Sequence, residues 1–362
     1  MQKNILICPL EWGLGHAGRM IPLAEKLREL KNNIFIAAGE EHLEMFRKET
    51  EGLTFINFPG FSPAYSRFLP QYLVLFLQIP LLLFYILRDN HRLKSIIASY
   101  NIDILISDNR FGLWNKKVKT VYITHMPVIP FPGYLRFLEI IGIRLHSSII
   151  KKYSFCYIPD LPGELNISGR LSHGCVLPAN VRYIGILSRF IDCGSKDPSK
   201  AKTSPYNTVI LSGPEPQREI FKQKLIQILK DTETATVILE GKPRKQSKVT
   251  GSGNIISYNH LPASAMKDII KSSGQIFCRA GYTTIMELIS LNCTALLVPT
   301  PGQTEQEYLA SYLSSKGWFD TVSQSKLTDR VTVSGNKIVQ NDEIIGQSRV
   351  LLSDALYELL KD

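Results

Sequence analysis

The first residue of this chain equipped for chemistry is a histidine in a glycine-rich loop. It stands in Glu11-Trp12-Gly13-Leu14-Gly15-His16-Ala17-Gly18-Arg19. Before it runs an apolar stretch, Ile5–Cys8; after it Ile21, Leu23, Ala24, Leu27 and Leu30 recur at helical spacing. A strand, a glycine loop and a helix point backbone N–H groups and a positive helix end at an anion. Gly13 and Gly15 permit a close backbone approach that a Cβ would block. His16 adds an imidazole, so the loop can bind phosphate and move a proton. The spacing Gly13-x-Gly15-x-x-Gly18 also matches the dinucleotide fingerprint. Against that reading, Pro9 to Trp12 separate the strand from the first glycine, and no clear acidic residue closes the second strand, Ile34–Ala38. A tight structural turn is a third reading.

A second group lies near the other end. Cys278-Arg279-Ala280-Gly281-Tyr282-Thr283-Thr284 follows a strand-like run, and Glu287 lies in the helix that starts there. Gly281 and the threonines suit a phosphate-facing helix N-terminus. The Glu287 carboxylate can accept two hydroxyl hydrogen bonds, as from a ribose diol. Ala295–Val298 then leads through a proline-glycine loop to Gln303, Glu305, Gln306, Glu307 and Tyr308. Amides and carboxylates at one helix start suit a polyhydroxylated ligand, although a capped helix with a solvated first turn has the same pattern. Asp108 ends the run Ile104–Ser107, where it can orient His16 or cap its own loop. Asp108-Asn109-Arg110, His125-Met126-Pro127 and Ser168–His173 are the loops expected to crowd the histidine.

The elements that must position these residues alternate. Strands are predicted at Ile5–Cys8, Ile34–Ala38, Thr54–Phe58, Ile104–Ser107, Thr120–Thr124, Phe155–Ile158 and Tyr183–Ile186. After a polar, proline-containing stretch they resume at Thr208–Leu211, Thr236–Leu239, Ile255–Tyr258, Gln275–Cys278 and Ala295–Val298. Apolar strands alternating with helices make an α/β protein with parallel sheets covered on both faces. The expected organisation is a first Rossmann-like domain over 1–190, a linker over 191–206, a second such domain over 207–345, and a helix over 346–362 that packs back on the first domain. Ser212-Gly213-Pro214 repeats the strand, glycine turn and helix of the opening.

Phe68–Leu87 is nearly all apolar. Its length approaches a membrane span, but Pro70, Gln71, Gln78 and Pro80 interrupt it and a span there would divide one sheet. A buried core helix and a partly exposed patch are the alternatives; the expectation is a helix with part of its apolar face left near the acceptor side, in peripheral contact with a membrane or a lipid-like acceptor. The 362 residues carry a formal net charge of +10. Lys and Arg are scattered apart from Lys242, Arg244, Lys245 and Lys248, and no nucleic-acid motif stands out, so no nucleic-acid partner is expected. The six cysteines form no CxxC pair and the chain opens directly into a strand, which suits a cytoplasmic protein.

These motifs together resemble the GT-B glycosyltransferases, and most nearly glycosyltransferase family 28, which includes the N-acetylglucosaminyltransferase of peptidoglycan synthesis. Arg279-Ala280-Gly281…Glu287 resembles that family's Arg-Ser/Ala-Gly…Glu block, and Val298-Pro299…Gln306-Glu307-Tyr308 its Val-Pro…Gln-Gln-Tyr block. The departures are Gly13-Leu14-Gly15-His16 for a double glycine before histidine, Ser212-Gly213-Pro214 for Gly-Gly-Ser, and Glu307 for the second glutamine. Gly-x-Gly-His-x-x-Arg also resembles UDP-sugar hydrolases of the same fold. The resemblance implies two Rossmann-like domains facing a cleft and sugar transfer from a UDP-sugar to a hydroxyl acceptor, with a lipid-linked or cell-envelope glycan as one acceptor class. It implies inversion without a metal or other cofactor, and work at the inner face of the membrane. His16 would be the base and Asp108 its partner. Gly13, Gly15, Ser212, Gly213, Arg279, Ala280, Gly281, Thr284, Glu287, Gln303 and Gln306 would hold the donor, with Asn109, Arg110 and His125 on the acceptor side. A hydrolase or epimerase, and a non-catalytic nucleotide-sugar-binding protein, are the other readings.

Overall fold

The apolar runs assemble into two seven-stranded sheets. A computed structural model of the chain describes residues 2–64, 71–131, 133–191, 206–243, 249–328, 338 and 340–361. The first sheet contains β1 (Asn4–Cys8), β2 (Asn33–Ala38), β3 (Thr54–Asn57), β4 (Ile104–Asp108), β5 (Lys119–Ile123), β6 (Phe155–Ile158) and β7 (Val181–Tyr183). Its order is β3-β2-β1-β4-β5-β6-β7, and every pairing is parallel. Alternate residues of each strand serve opposite faces, as the pleat requires. Ile5, Ile7, Ile34, Ile36, Ile104 and Ile106 pack with helix α1 (Leu14–Glu29) and α2 (Glu40–Glu49). Leu6, Cys8, Ala37 and Leu105 face the other way, toward Leu93.

Leu93 belongs to α4 (Ile79–Tyr100), which follows α3 (Gln71–Leu77) after a break at Gln78; Pro80 sits in the first turn, where a missing N–H is harmless. The apolar stretch is thus two helices, the second running on to Tyr100, and Phe68 to Pro70 lie outside the described residues. Much of it faces outward: Phe76 is 66% exposed, Phe84 59% and Leu87 74%. No described helix is long and apolar enough to cross a membrane. Next comes α5 (Glu139–Ile150).

The second sheet contains β8 (Tyr206–Ile210), β9 (Ala235–Leu239), β10 (Val249–Ser252), β11 (Ile255–Tyr258), β12 (Gln275–Cys278), β13 (Leu296–Leu297) and β14 (Asp320–Thr321). Its order is β10-β11-β9-β8-β12-β13-β14. All neighbours are parallel except β10, an exposed edge strand antiparallel to β11. Helices α6 (Gln217–Leu229), α7 (Ala263–Lys271), α8 (Tyr282–Ser290) and α9 (Thr304–Ser315) cover its faces. Apart from Ile191 and Tyr206, the stretch expected as a linker lies outside the described residues, as do Arg244, Lys245 and Lys248.

The last helix, α10 (Asn341–Leu360), belongs to both halves. Ile344 joins the core of the second sheet, while Ala355, Leu356 and Leu359 complete that of the first. Tyr157 donates to the Ala355 carbonyl at 2.8 Å, and Arg182 pairs with Glu358 at 3.1 Å. The crossing is tight at Gly185, whose φ of +71° favours glycine and where a Cβ would collide with the Ser348 backbone.

Candidate functional site

In a doubly wound sheet the ligand crevice opens where the strand order reverses, outside the C-terminal strand ends. In the first sheet that point is between β1 and β4. Gly13, with φ of +135°, lets the chain turn from β1 into α1. His16 and Arg19, three residues apart on one helix face, then point at the ends of β4 and β5.

There they meet Asp108 and His125. His16 Nδ1 lies 2.9 Å from Asp108 Oδ2. Arg19 donates through Nε to the same oxygen at 3.1 Å and through Nη2 to Oδ1. Arg19 Nη1 lies 3.2 Å from His125 Nδ1. His125 Nε2 lies 2.8 Å from Glu305 Oε1, in the first turn of α9 on the other half of the chain. Arg19, Asp108 and His125 are buried, while His16 keeps 17% of its side chain exposed. Burial first, then the Arg19 charge, pulls the His16 imidazole down to about 4, against the opposing pull of Asp108. The ring is therefore unprotonated at neutral pH, well clear of the ordinary ~6.5. Burial alone would raise Asp108, but Arg19 and His16 outweigh it and hold the carboxyl at about 2.

The two halves touch around this cluster. The Tyr282 ring stacks on His125, with centroids 4.2 Å apart and planes 15° from parallel. Thr283 donates to the Gly15 carbonyl at 3.0 Å. The N-terminal ends of α1 and α8 thus converge, two partial positive charges that favour an anion between them. A Cβ on Gly15 would sit 3.2 Å from Thr283 Oγ1, tight enough to push the helix starts apart.

The other expected residues divide. Gly281 adjoins Ser212, its Cβ position 3.8 Å from the Ser212 hydroxyl and 3.9 Å from that of Thr284. Gly213 holds a φ of +86°. Ala280 is fully buried. Gln303 precedes α9 as its N-cap, and Gln306 accepts the Thr300 N–H at 2.9 Å. Arg279 is turned inward, donating to the carbonyls of Val298, Pro299 and Gln217 and to Gln324, so its guanidinium is spent on the loops around it. Arg110 is likewise engaged, with Asp89 at 2.6 Å and the Phe58 carbonyl at 3.0 Å. Asn109 adopts a φ of +54° and accepts from the Tyr122 hydroxyl at 3.0 Å. His125 is a member of the charged cluster. Ser168–His173 stays apart: Arg170 N–H bonds to Tyr308, and His173 stacks on Tyr183.

Glu287 sits across from α1, 3.9 Å from the Cβ position of Gly18, and accepts from Arg189 Nε at 2.8 Å. Arg189 also faces Glu49 of α2 at 3.6 Å, and His260 stands 3.9 Å from Glu49. Burial first raises Glu49, partly offset by Arg189; it lowers His260 to about 4, helped by Lys48 and Arg189.

Sequence reading missed Arg19 and Glu305 as members of the site. The i, i+3 spacing from His16 was the available signal for Arg19; Glu305 carried none beyond its place in a polar first turn.

Two facing α/β sheets, each in the doubly wound order, with a nucleotide-type turn on both, define the GT-B architecture. Residues 201–348, which take in the second sheet and reach into α10, match the glycosyltransferase family 28 C-terminal domain, so the resemblance to that family is supported. The glycotransferase of kitacinnamycin superposes with a TM-score of 0.64 at 11% identity, covering 99% of this chain and 100% of its own. The glycosyltransferase SnogD from Streptomyces nogalater gives 0.59 at 14% identity, over 98% of this chain and 96% of its own. The spinosyn rhamnosyltransferase SpnG, solved with spinosyn aglycone, gives 0.57 at 14% identity, over 100% of this chain and 92% of its own. No curated protein matches the sequence.

Proposed function

We propose that the protein transfers a sugar from a UDP-sugar to an acceptor hydroxyl, with inversion and without a metal. The carrying observation is His16 Nδ1 held on Asp108 at the switch point of the first sheet. With Nδ1–H donated to Asp108, Nε2 is free to take the acceptor proton as its oxygen attacks the anomeric carbon. The bond to the diphosphate breaks on the opposite face, and the departing charge is received by the N-termini of α1 and α8. Glu287 holds the ribose once Arg189 yields its place. SpnG, a structural neighbour, has been solved with thymidine diphosphate as well as with its aglycone, which supports a donor and an acceptor sharing one cleft.

The acceptor approaches past Trp12, Phe61 and Tyr85, which meet edge to face at 6.1 and 5.7 Å beside Asn109. Beyond this wall lies the exposed apolar face of α3 and α4. Phe137, Ile140, Ile141 and Leu145, on and just before α5, add a second one, and Phe111 lies between, lining a pocket with Tyr85 and touching His146. Arg92, Lys94, Arg136, Arg144, Lys151 and Lys152 are exposed around these helices, whereas Asp89 and Glu139 are buried in ion pairs. Apolar surface ringed by cations suits an anionic bilayer carrying a lipid-linked acceptor.

The test is turnover of a panel of nucleotide sugars with and without bacterial lipid extract, scoring sugar transfer and free sugar separately. His16→Asn is expected to lose at least about a hundredfold in transfer, with UDP affinity within about threefold, under ~1 kcal/mol. Asp108→Asn should lose less, in the same direction. Free sugar as the main product, whatever acceptor is added, moves the assignment to a hydrolase. Cosedimentation with anionic vesicles, weakening with salt and lost in Phe84→Ser/Leu87→Ser, tests the membrane contact; no binding removes it.

A further inference from the structure

The chain of polar contacts behind His16 does not end in the first half of the molecule. Arg19 can only donate, so His125 Nδ1, 3.2 Å from Arg19 Nη1, must accept. The ring proton of His125 then sits on Nε2, where it donates to Glu305 Oε1 at 2.8 Å. Glu305 is held below the usual carboxylate range: burial works the other way and is outweighed by His125 and, behind it, His16 and Arg19.

At the other end, two partners compete for His16 Nδ1. Asp108 Oδ2 and Arg19 Nη2 both stand 2.9 Å from it. A proton on Nδ1 serves Asp108 and leaves Nε2 bare, the form of a base. A bare Nδ1 serves Arg19 and puts the proton on Nε2, where no acceptor proton can be taken. Which tautomer prevails depends on where Arg19 points. Its Nε and Nη2 lie along Asp108 only while Nη1 is drawn toward His125, and His125 offers that acceptor only while Nε2–H is claimed by Glu305.

We propose that Glu305 is a positioning residue that sets the tautomer of His16 through His125 and Arg19, so that the base forms only when the second half of the chain is closed over the first. Glu305 lies in the first turn of α9 and His125 two residues beyond β5, so opening the cleft separates that pair before any other member of the chain moves. Arg19 is then released to donate to His16 Nδ1, and the ring turns its proton outward. An open enzyme holds no base ready for water; a closed one holds a base facing the acceptor. The proposal rests on the reading of His16 as base, and adds the residue that switches it.

Three measurements on the full chain test it. In Glu305→Ala, kcat for transfer should fall about tenfold or more while the donor KM stays within about threefold. Glu305→Gln, whose amide oxygen still accepts from His125, should recover most of the loss. The groups facing His16 are Arg19, Asp108, His125 and, behind them, Glu305; with Arg19 donating to His16 Nδ1 the neutral ring is favoured further, so the acid limb of the rate profile should move to lower pH in Glu305→Ala and less in Glu305→Gln. In a ¹⁵N-histidine-labelled protein saturated with UDP, His16 Nε2 should resonate as an unprotonated nitrogen, and as a protonated one in Glu305→Ala. Unchanged kcat in Glu305→Ala, a loss confined to KM, no recovery in Glu305→Gln, or a protonated Nε2 in the parent overturns the proposal. Full activity in His16→Asn would remove the base while leaving the ring tautomers measurable, so the two failures are distinguishable.

Discussion

Two charged clusters bridge the two halves of the cleft, and they are built differently. One joins His16, Arg19, Asp108, His125 and Glu305; the other joins Glu49, Arg189, Glu287 and His260. In the first, the contacts run at hydrogen-bond distance from one half to the other. In the second, Arg189 grips Glu287 at 2.8 Å, but Glu49 Oε1 and His260 Nε2 are buried without a hydrogen bond. A saturated network holds its members in place, and an undersaturated one keeps capacity for a newcomer. The first is suited to aiming a proton acceptor, the second to giving way when a ribose arrives at Glu287.

The largest effect that would break this contrast is on stability. Arg19→Met leaves the buried Asp108 carboxylate without its cation, bonded to a neutral His16, which should cost about 3–5 kcal/mol in urea unfolding. Arg189→Met should cost less, about 1.5–3 kcal/mol, because burial has already pushed Glu49 toward its protonated form. Equal losses would mean that the clusters are equally rigid. Next in size is nucleotide affinity. Glu287→Ala should weaken UDP binding by about 1.5–3 kcal/mol in calorimetry, whereas Arg189→Met, which removes the competitor, should tighten it. Weaker binding in Arg189→Met would show that the arginine is itself a ligand.

The smallest effects are in pH. The transfer rate should hold steady down to about pH 4 and fall only below it, because His16 takes its proton there; an acid limb near ~6.5, the ordinary histidine value, would show that the ring is neither buried nor faced by Arg19 as the structure has it. Stability has its own window. His16, His146 and His260 are lowered to about 4, each chiefly by burial. An unfolded chain protonates its histidines near ~6.5, so between these values it binds more protons than the folded one, and stability falls as pH falls. The midpoint of thermal unfolding should therefore drop from pH 6.5 to 4, less steeply in His260→Gln.

Most of the fold was legible because strands covered on both faces read as unbroken apolar runs; β6, β11 and β12 fall at the expected residues. β10 escaped because an exposed edge strand, Val-Thr-Gly-Ser, has neither a run nor an alternation. β7 was expected at Tyr183–Ile186 and lies at Val181–Tyr183; the apolar signal came from Ile184 and Ile186, buried by packing beyond the strand. In the site, glycines and a histidine at a strand end carried a local signature. Arg19 had only its i, i+3 spacing from His16, and Glu305 only its place in a polar first turn, since a charge on a helix reads as solvated until the fold supplies its partner. Burial likewise hid the His16 shift, which depends on neighbours far away in sequence.

The return of α10 across both sheets has a consequence for how the molecule is made. The first half of the chain, with all seven strands of its sheet, leaves the ribosome before α10 is made. Its core still lacks Ala355, Leu356 and Leu359, and the Tyr157 hydroxyl still lacks the Ala355 carbonyl. Until synthesis has passed Leu359, that half carries an open apolar furrow, and an α10 cut short before Ala355 would injure the half translated first more than the one beside it, whose core keeps Ile344.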